Sequence, residues 1–196
     1  MTTQVTGSGI NFNGSTSGTI LLTQPAVAGS NTITLPAETG TARTTVSSGT
    51  VLQAVNYTTG TYASGTGTIP LDNTIPQITE GTEFMTLAIT PRSATSKLIV
   101  QVIVQGYSSV ADWMFMALFQ DATANALALG WTYVTTATAG TSLALNHYMT
   151  SGTTSSTTFR VRIGTNGGST FGINGNGAAR WGGVSSSSIT ITEVVP

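Results

Sequence analysis

Residues 97–105, KLIVQVIVQ, alternate so strictly that they constrain everything around them. At a period of two, Leu98, Val100, Val102 and Val104 fall on one face of a strand. Ile99, Gln101, Ile103 and Gln105 fall on the other, which is only half apolar. A strand with one wholly apolar face needs a second layer to cover it. The same period recurs along the chain. Residues 82–89 gather Met85, Leu87 and Ile89. Residues 157–163 set Phe159, Val161 and Ile163 against Arg160 and Arg162. Residues 141–150 alternate Leu143, Leu145, His147 and Met149 with Ala144, Asn146 and Tyr148, and residues 187–195 group Ile189, Ile191 and Glu193. Residues 51–55 and 126–134 read as further strands. Residues 113–119, WMFMALF, are apolar throughout; their short length and aromatic content favour a strand buried on both faces over two turns of buried helix.

Turn chemistry separates these runs. Residues 121–125 read as a hairpin loop, with Asp121 and Asn125 capping it rather than holding a cation, because the acidic density of a calcium loop is missing. Asn166-Gly167-Gly168 reads as a hairpin turn into residues 169–173, since Asn and Gly accept the positive φ of tight turns. No stretch joins helical periodicity to caps. Strands at spacings of roughly ten to fifteen residues predict an all-β fold, an antiparallel β-sandwich of jelly-roll type, over residues 51–196.

Residues 1–50 differ in texture. They are Thr, Ser, Gly and small apolar residues with Phe12 as the one aromatic, so the compact core belongs to residues 51–196. Two short β-prone runs, 19–26 and 32–37, each end in Pro-Ala. Two such strands make no stable sheet alone. The reading is therefore a β-rich stem or anchor that packs on a partner surface, either residues 51–196 or three chains around one axis.

Charged residues are 7% of the chain, against roughly 25% in ordinary soluble domains. With a net charge of −1, a free monomer is prone to associate, so its surfaces are expected to be covered by copies or partners. Six basic residues are scattered and form no stripe, which argues against nucleic acid. The absence of cysteine removes disulfides and thiolate chemistry. The amino terminus has no basic and apolar signal pattern, and no apolar run approaches ~18 residues. Synthesis in a host cytoplasm without a signal peptide, and no membrane insertion, are expected.

Several segments together carry a resemblance. Asn11-Phe12-Asn13-Gly14-Ser15-Thr16 and then residues 29–41, GSNTITLPAETGT, are followed by residues 48–53, SGTVLQ. This series resembles a recurrent segment of tail-fibre-like and other virion proteins in phages of aquatic bacteria, and the junction after it. Residues 89–100 resemble the middle hairpin of the β-domain beyond that junction, and residues 187–194, SSITITEV, resemble its closing strand. The resemblance spans roughly residues 10–55, 85–105 and 155–195. It implies a homotrimeric virion appendage, a thin stem (1–50) carrying a β-sandwich knob (51–196). The extended attachment domain of a long tail fibre is not seen ahead of the segment, which keeps a capsid decoration protein open as the alternative. A carbohydrate-binding module is a further one. The expected partners are the chain itself, other proteins of the tail or capsid, and a host-surface glycan or protein.

Candidate chemistry is sparse, and no enzyme or cofactor is expected. His147 is the single histidine, and no G-x-S-x-G elbow accompanies it. It reads as a packed residue or, where a three-fold axis gathers copies, as a three-fold interface position. The seven carboxylates are too dispersed for a glycosidase pair. Residues 164–169 and 172–177 are glycine-rich turns without the lysine and helix of a phosphate loop. Residues 174–183, NGNGAARWGG, are the distinctive surface candidate. Arg180 and Trp181 stand among glycines, a pairing suited to stacking on sugar or anchoring a partner. The alternatives for Trp181 are a lid on the sandwich or an interface. Trp131, Tyr133 and Tyr107 read as core or interface residues.

Overall fold

A computed structural model describes residues 10–13, 19–22 and 47–196. The chain divides into two compact units, Met1–Arg43 and Thr44–Pro196. In the first, β1 (Ile10–Asn13) pairs antiparallel with β2 (Thr19–Leu22). The β-prone run at 19–26 is thus a strand at its start, and its partner is Ile10–Asn13. The run at 32–37, and residues 29–41 as a whole, lie outside the described residues.

The second unit is built from β3 (Val51–Thr59), β4 (Ala63–Gly65), β5 (Thr82–Ile89), β6 (Lys97–Ser108), β7 (Asp112–Gln120), β8 (Ala128–Val134), β9 (Gly140–Thr150), β10 (Thr157–Thr165), β11 (Phe171–Ile173) and β12 (Ser187–Val194). One sheet has the order β5-β10-β7-β8. The other runs β3-β12-β6-β11-β4, with β9 on the opposite side of β6. Every pairing between these strands is antiparallel. Four strands in the order β9-β6-β12-β3 therefore face four in the order β8-β7-β10-β5, and among these eight every successive pair but β7–β8 crosses between layers. That is the winding of a jelly roll.

The alternating rows meet between the sheets. Leu98, Val100, Val102 and Val104 of β6 pack with Ile189 and Ile191 of β12 against Phe159, Val161 and Ile163 of β10 and Met114, Met116 and Leu118 of β7. β7 is buried on its other face as well. Phe115, Ala117 and Phe119 are covered by the long β4–β5 connection, through Ile69 and Ile78. That connection is stitched down by backbone bonds from Ile69 N–H to Thr165 O, Ile78 N–H to Ala124 O and Ala126 N–H to Pro76 O. Arg162 adds donors to Glu80 O (2.7 Å) and Gly81 O (2.9 Å).

Two sequence expectations change. Asn166-Gly167-Gly168 does not close a hairpin, because β10 lies in the four-stranded sheet and β11 in the six-stranded one. The turn carries the chain across the end of the sandwich, where Asp112 accepts from Gly167 N–H (3.1 Å) and the Ser169 hydroxyl (3.0 Å). Trp131 and Tyr133 were expected as core or interface residues, and the core alternative does not hold. β8 is the edge of its sheet, and among the described residues the β4–β5 connection leaves their outward side chains open, at 62% and 47% exposure. Tyr107, by contrast, is buried.

Glu193 sits on the inner face of β12, fully buried and, among the described residues, without a basic partner. Neutral donors hold it: the Ser96 hydroxyl, Gln53 Nε2 at 2.6 Å, and the N–H groups of Arg92 (2.8 Å) and Ser93 (3.3 Å). Burial alone would push this carboxyl up; the hydrogen bonds outweigh it and hold the pKa below the ordinary 4.5. The carboxylate ties the β5–β6 turn and β3 to the closing strand. Glu193→Ala should lower the unfolding free energy by about 3 kcal/mol in urea titrations at pH 7, because buried donors lose their acceptor. The folded pKa is depressed, so the stabilisation is complete above pH 4.5 and is lost as pH falls through the folded value. Glu193→Gln should flatten that acid dependence, and an unchanged slope would show that other carboxylates set it.

Candidate functional site

Three connections converge at one end of the sandwich: the β3–β4 link, the β8–β9 turn and the long β11–β12 loop. Asn174 fixes the third to the first. It is buried in a left-handed conformation (φ 59°), and its amide donates to Thr59 O (2.8 Å) and Thr61 O (3.1 Å). The Ser187 hydroxyl donates back to Asn174 Oδ1 (2.7 Å), which closes the base of the loop. Asn176 reaches the β8–β9 turn, donating to Thr138 O (2.8 Å). A short bridge between Gly175 and Ala179 narrows the loop again.

Beyond that bridge lies a single 3-10 turn, Trp181–Gly183. Its three residues all have positive φ, at 51°, 60° and 83°. Glycine adopts this region freely, whereas a tryptophan there is under backbone strain. The backbone passes close to Gly60, where any side chain would collide with Gly183 O. The result is that the indole points outward, 64% exposed, beside an exposed Arg180. Trp181 is therefore not a lid on the sandwich.

The indole borders two clefts. One, of about 430 Å³, is lined by Gln105, Thr141, Ser142, Asn176 and Ser185. The other, of about 530 Å³, runs past Thr61, Tyr62 and Arg180. Tyr62 is held by a hydroxyl–hydroxyl bond of 2.9 Å to Tyr107. Burial first, and then this bond, push the Tyr107 phenol above its usual value, so it stays neutral and hydrogen-bonding. Among the described residues, Arg180 is the only charged side chain lining either cleft. The arrangement offers an aromatic face, neutral donors and acceptors, and one guanidinium.

His147 lies elsewhere. It pairs with Val100 across β9 and β6, so it is turned to the inner side of the edge strand β9. It is half-buried, and burial pushes the imidazole below its usual pKa. Asp121 caps its turn, accepting from the Thr157 hydroxyl and from Thr158 N–H, both at 2.8 Å. Asn125 accepts from Gln77 Nε2 (3.0 Å). Among the described residues no three His, Cys, Asp or Glu side chains gather as a metal site. No helix there is long and apolar enough to cross a membrane. The sequence pointed to Arg180 and Trp181. It carried Asn174 and Asn176 only as members of the 174–183 segment and did not reveal their anchoring bonds or the clefts, which depend on three connections distant in sequence.

No family model matches the chain, and no curated protein matches it. Solved structures similar to it include the Eiger TNF from S. frugiperda, at 9% identity and a TM-score of 0.42, covering 72% of this chain and 93% of that one. The Gx strain of infectious bursal disease virus gives 11% identity and a TM-score of 0.34, over 94% of this chain and 48% of the viral one. The VP2 subviral particle of infectious bursal disease virus gives 13% and 0.31, over 91% and 47%. The chain spans about half the length of these viral chains. None reaches a TM-score of 0.5, and the fold stands on the strand order itself.

The Asn174 anchor generates a prediction. Asn174→Ala leaves the Ser187 hydroxyl and two backbone carbonyls without their partner and places a Cβ-bearing residue without a polar side chain at φ 59°. It should cost about 2–3 kcal/mol and speed amide exchange across residues 175–186, measured by hydrogen-exchange mass spectrometry. Unchanged exchange in that loop would show that it is held by other means.

Proposed function

We propose that this chain is a non-enzymatic structural and binding protein of a virion surface. It forms a homotrimeric fibre- or spike-type appendage whose β-sandwich knob contacts the host through the Trp181 clefts. The observation that carries this reading is the indole held outward by three consecutive left-handed residues, between clefts lined with neutral hydrogen-bonding groups. Strain of that kind persists only where the surrounding structure enforces it. An exposed indole supplies the flat apolar surface that a sugar ring stacks on, and Gln105, Ser142 and Asn176 supply donors and acceptors for hydroxyls. The ligand class is a surface glycan, neutral or carrying an acidic group that Arg180 pairs with. Three copies would multiply a weak single contact into useful avidity. The resemblance of the stem and closing-strand segments to phage virion proteins supports the same reading, with other virion proteins as the partners of residues 1–50.

Binding of the purified protein to an array of bacterial surface oligosaccharides tests this. Trp181→Ala should weaken the strongest contacts by roughly tenfold or more, since a central aromatic anchor is worth about 1–2 kcal/mol or above. Its melting temperature should stay near that of the parent, because the side chain is exposed. Equal binding by parent and variant would contradict the assignment of the site.

A further inference from the structure

From residue 122 to residue 159 the chain contains no Asp, Glu, Lys or Arg. This stretch supplies β8 and β9, the edge strands of the two sheets, which meet at one corner of the sandwich. Gly130 allows the approach; a Cβ there would stand 3.3 Å from Ala144 O. Large apolar side chains emerge on both flanks of the corner. Leu129, Trp131 and Tyr133 project from β8, and Tyr148 projects from β9 at 61% exposure. Trp113 of β7 lies against Trp131 and Tyr133, each pair with ring centroids 5.1 Å apart, so the three rings form one continuous aromatic ridge.

The outer face of the four-stranded sheet is divided. Its β5–β10 side carries Glu83, Arg160 and Arg162, paired at 3.2 and 3.5 Å. Its β8 side carries the ridge and no charge. The devices that normally defend an exposed edge are Lys, Pro and bulges. β8 and β9 contain neither residue, and their registers run without a shift. Apart from the Lys97 ammonium, which lies 6.0 Å over the Tyr148 ring, the corner is uncharged and aromatic, and such a surface is not one left for water.

We infer that this β8–β9 corner is the surface on which a second copy of the same chain docks. The inference rests on the homotrimer reading above and names the contact that builds it. A charge-free surface gains nothing from a charged partner, which would bury its charges without compensation. Its complement is another charge-free surface, and each copy carries one. The strands of the six-stranded sheet turn Gln101, Ile103, Asn146 and Thr190 outward around a shallow hollow of about 230 Å³. Lys97 is the one formally charged residue that β3, β12, β6 and β9 direct to that side. Away from Lys97, a neighbouring copy can therefore meet the corner with apolar and neutral groups.

The test is the solution mass of the full chain by light scattering, for the parent, Trp131→Glu, Tyr133→Glu and a Thr86→Glu control, an exposed position on β5 at the far edge of the four-stranded sheet. Trp131 and Tyr133 are exposed, so both variants should fold, as circular dichroism would verify. The expected result is an oligomer for the parent and the control, and the mass of one chain for both ridge variants. A parent that is monomeric at every concentration overturns both this inference and the homotrimer reading. An oligomeric parent whose ridge variants keep its mass overturns the corner alone and leaves the trimer standing.

Discussion

Burial of a single alternating row, Leu98, Val100, Val102 and Val104, is the constraint on which the rest of the sandwich depends. β6 carries that row and is paired along both edges, with β9 on one side and β12 followed by β11 on the other. A one-residue slip would turn all four side chains to solvent, so the register of three neighbouring strands is fixed together. β12 in turn brings Glu193 inward, where its carboxylate gathers the β5–β6 turn and β3. One apolar row therefore sets the sheet, and one buried carboxylate closes its seam.

Much of this was legible in the residues. Phe159, Val161 and Ile163 are fully buried between Arg160 and Arg162, as their alternation predicts. Residues 113–119 are a strand covered on both faces. What failed was anything decided by neighbours distant in sequence. Asn166-Gly167-Gly168 has the chemistry of a tight turn, but which strands a turn joins is set by the sheets, and here it spans two. Trp131 and Tyr133 read from the sequence as core or interface residues; that they are not core follows from an edge position that β8 alone cannot reveal. The cover over β7 was invisible because residues 66–81 have no periodicity. Trp181 was legible as a candidate from its glycine setting, while the clefts beside it arise from connections far apart in sequence.

The distribution of charge gives the molecule two kinds of working surface. Around Trp181 the strained loop holds a rigid aromatic group in water beside neutral donors and one guanidinium, which suits reversible contact with a hydroxyl-rich ligand. Around Trp131 the aromatic ridge lies on edge strands stripped of charge, which suits permanent burial. Residues 1–37 and 44–71 are also free of Asp, Glu, Lys and Arg, so the charges that remain mark out particular surfaces, such as the β5–β10 flank where Glu83, Arg160 and Arg162 pair in the open.

The central claim is that two exposed tryptophans have opposite fates, one kept in solvent for binding and one covered by assembly. Hydroxyl-radical footprinting of the assembled protein, read by mass spectrometry of the tryptophan-containing peptides, tests it in one measurement. The account predicts rapid oxidation of Trp181 and strong protection of Trp131. Oxidation of Trp131 as fast as that of Trp181 would contradict it.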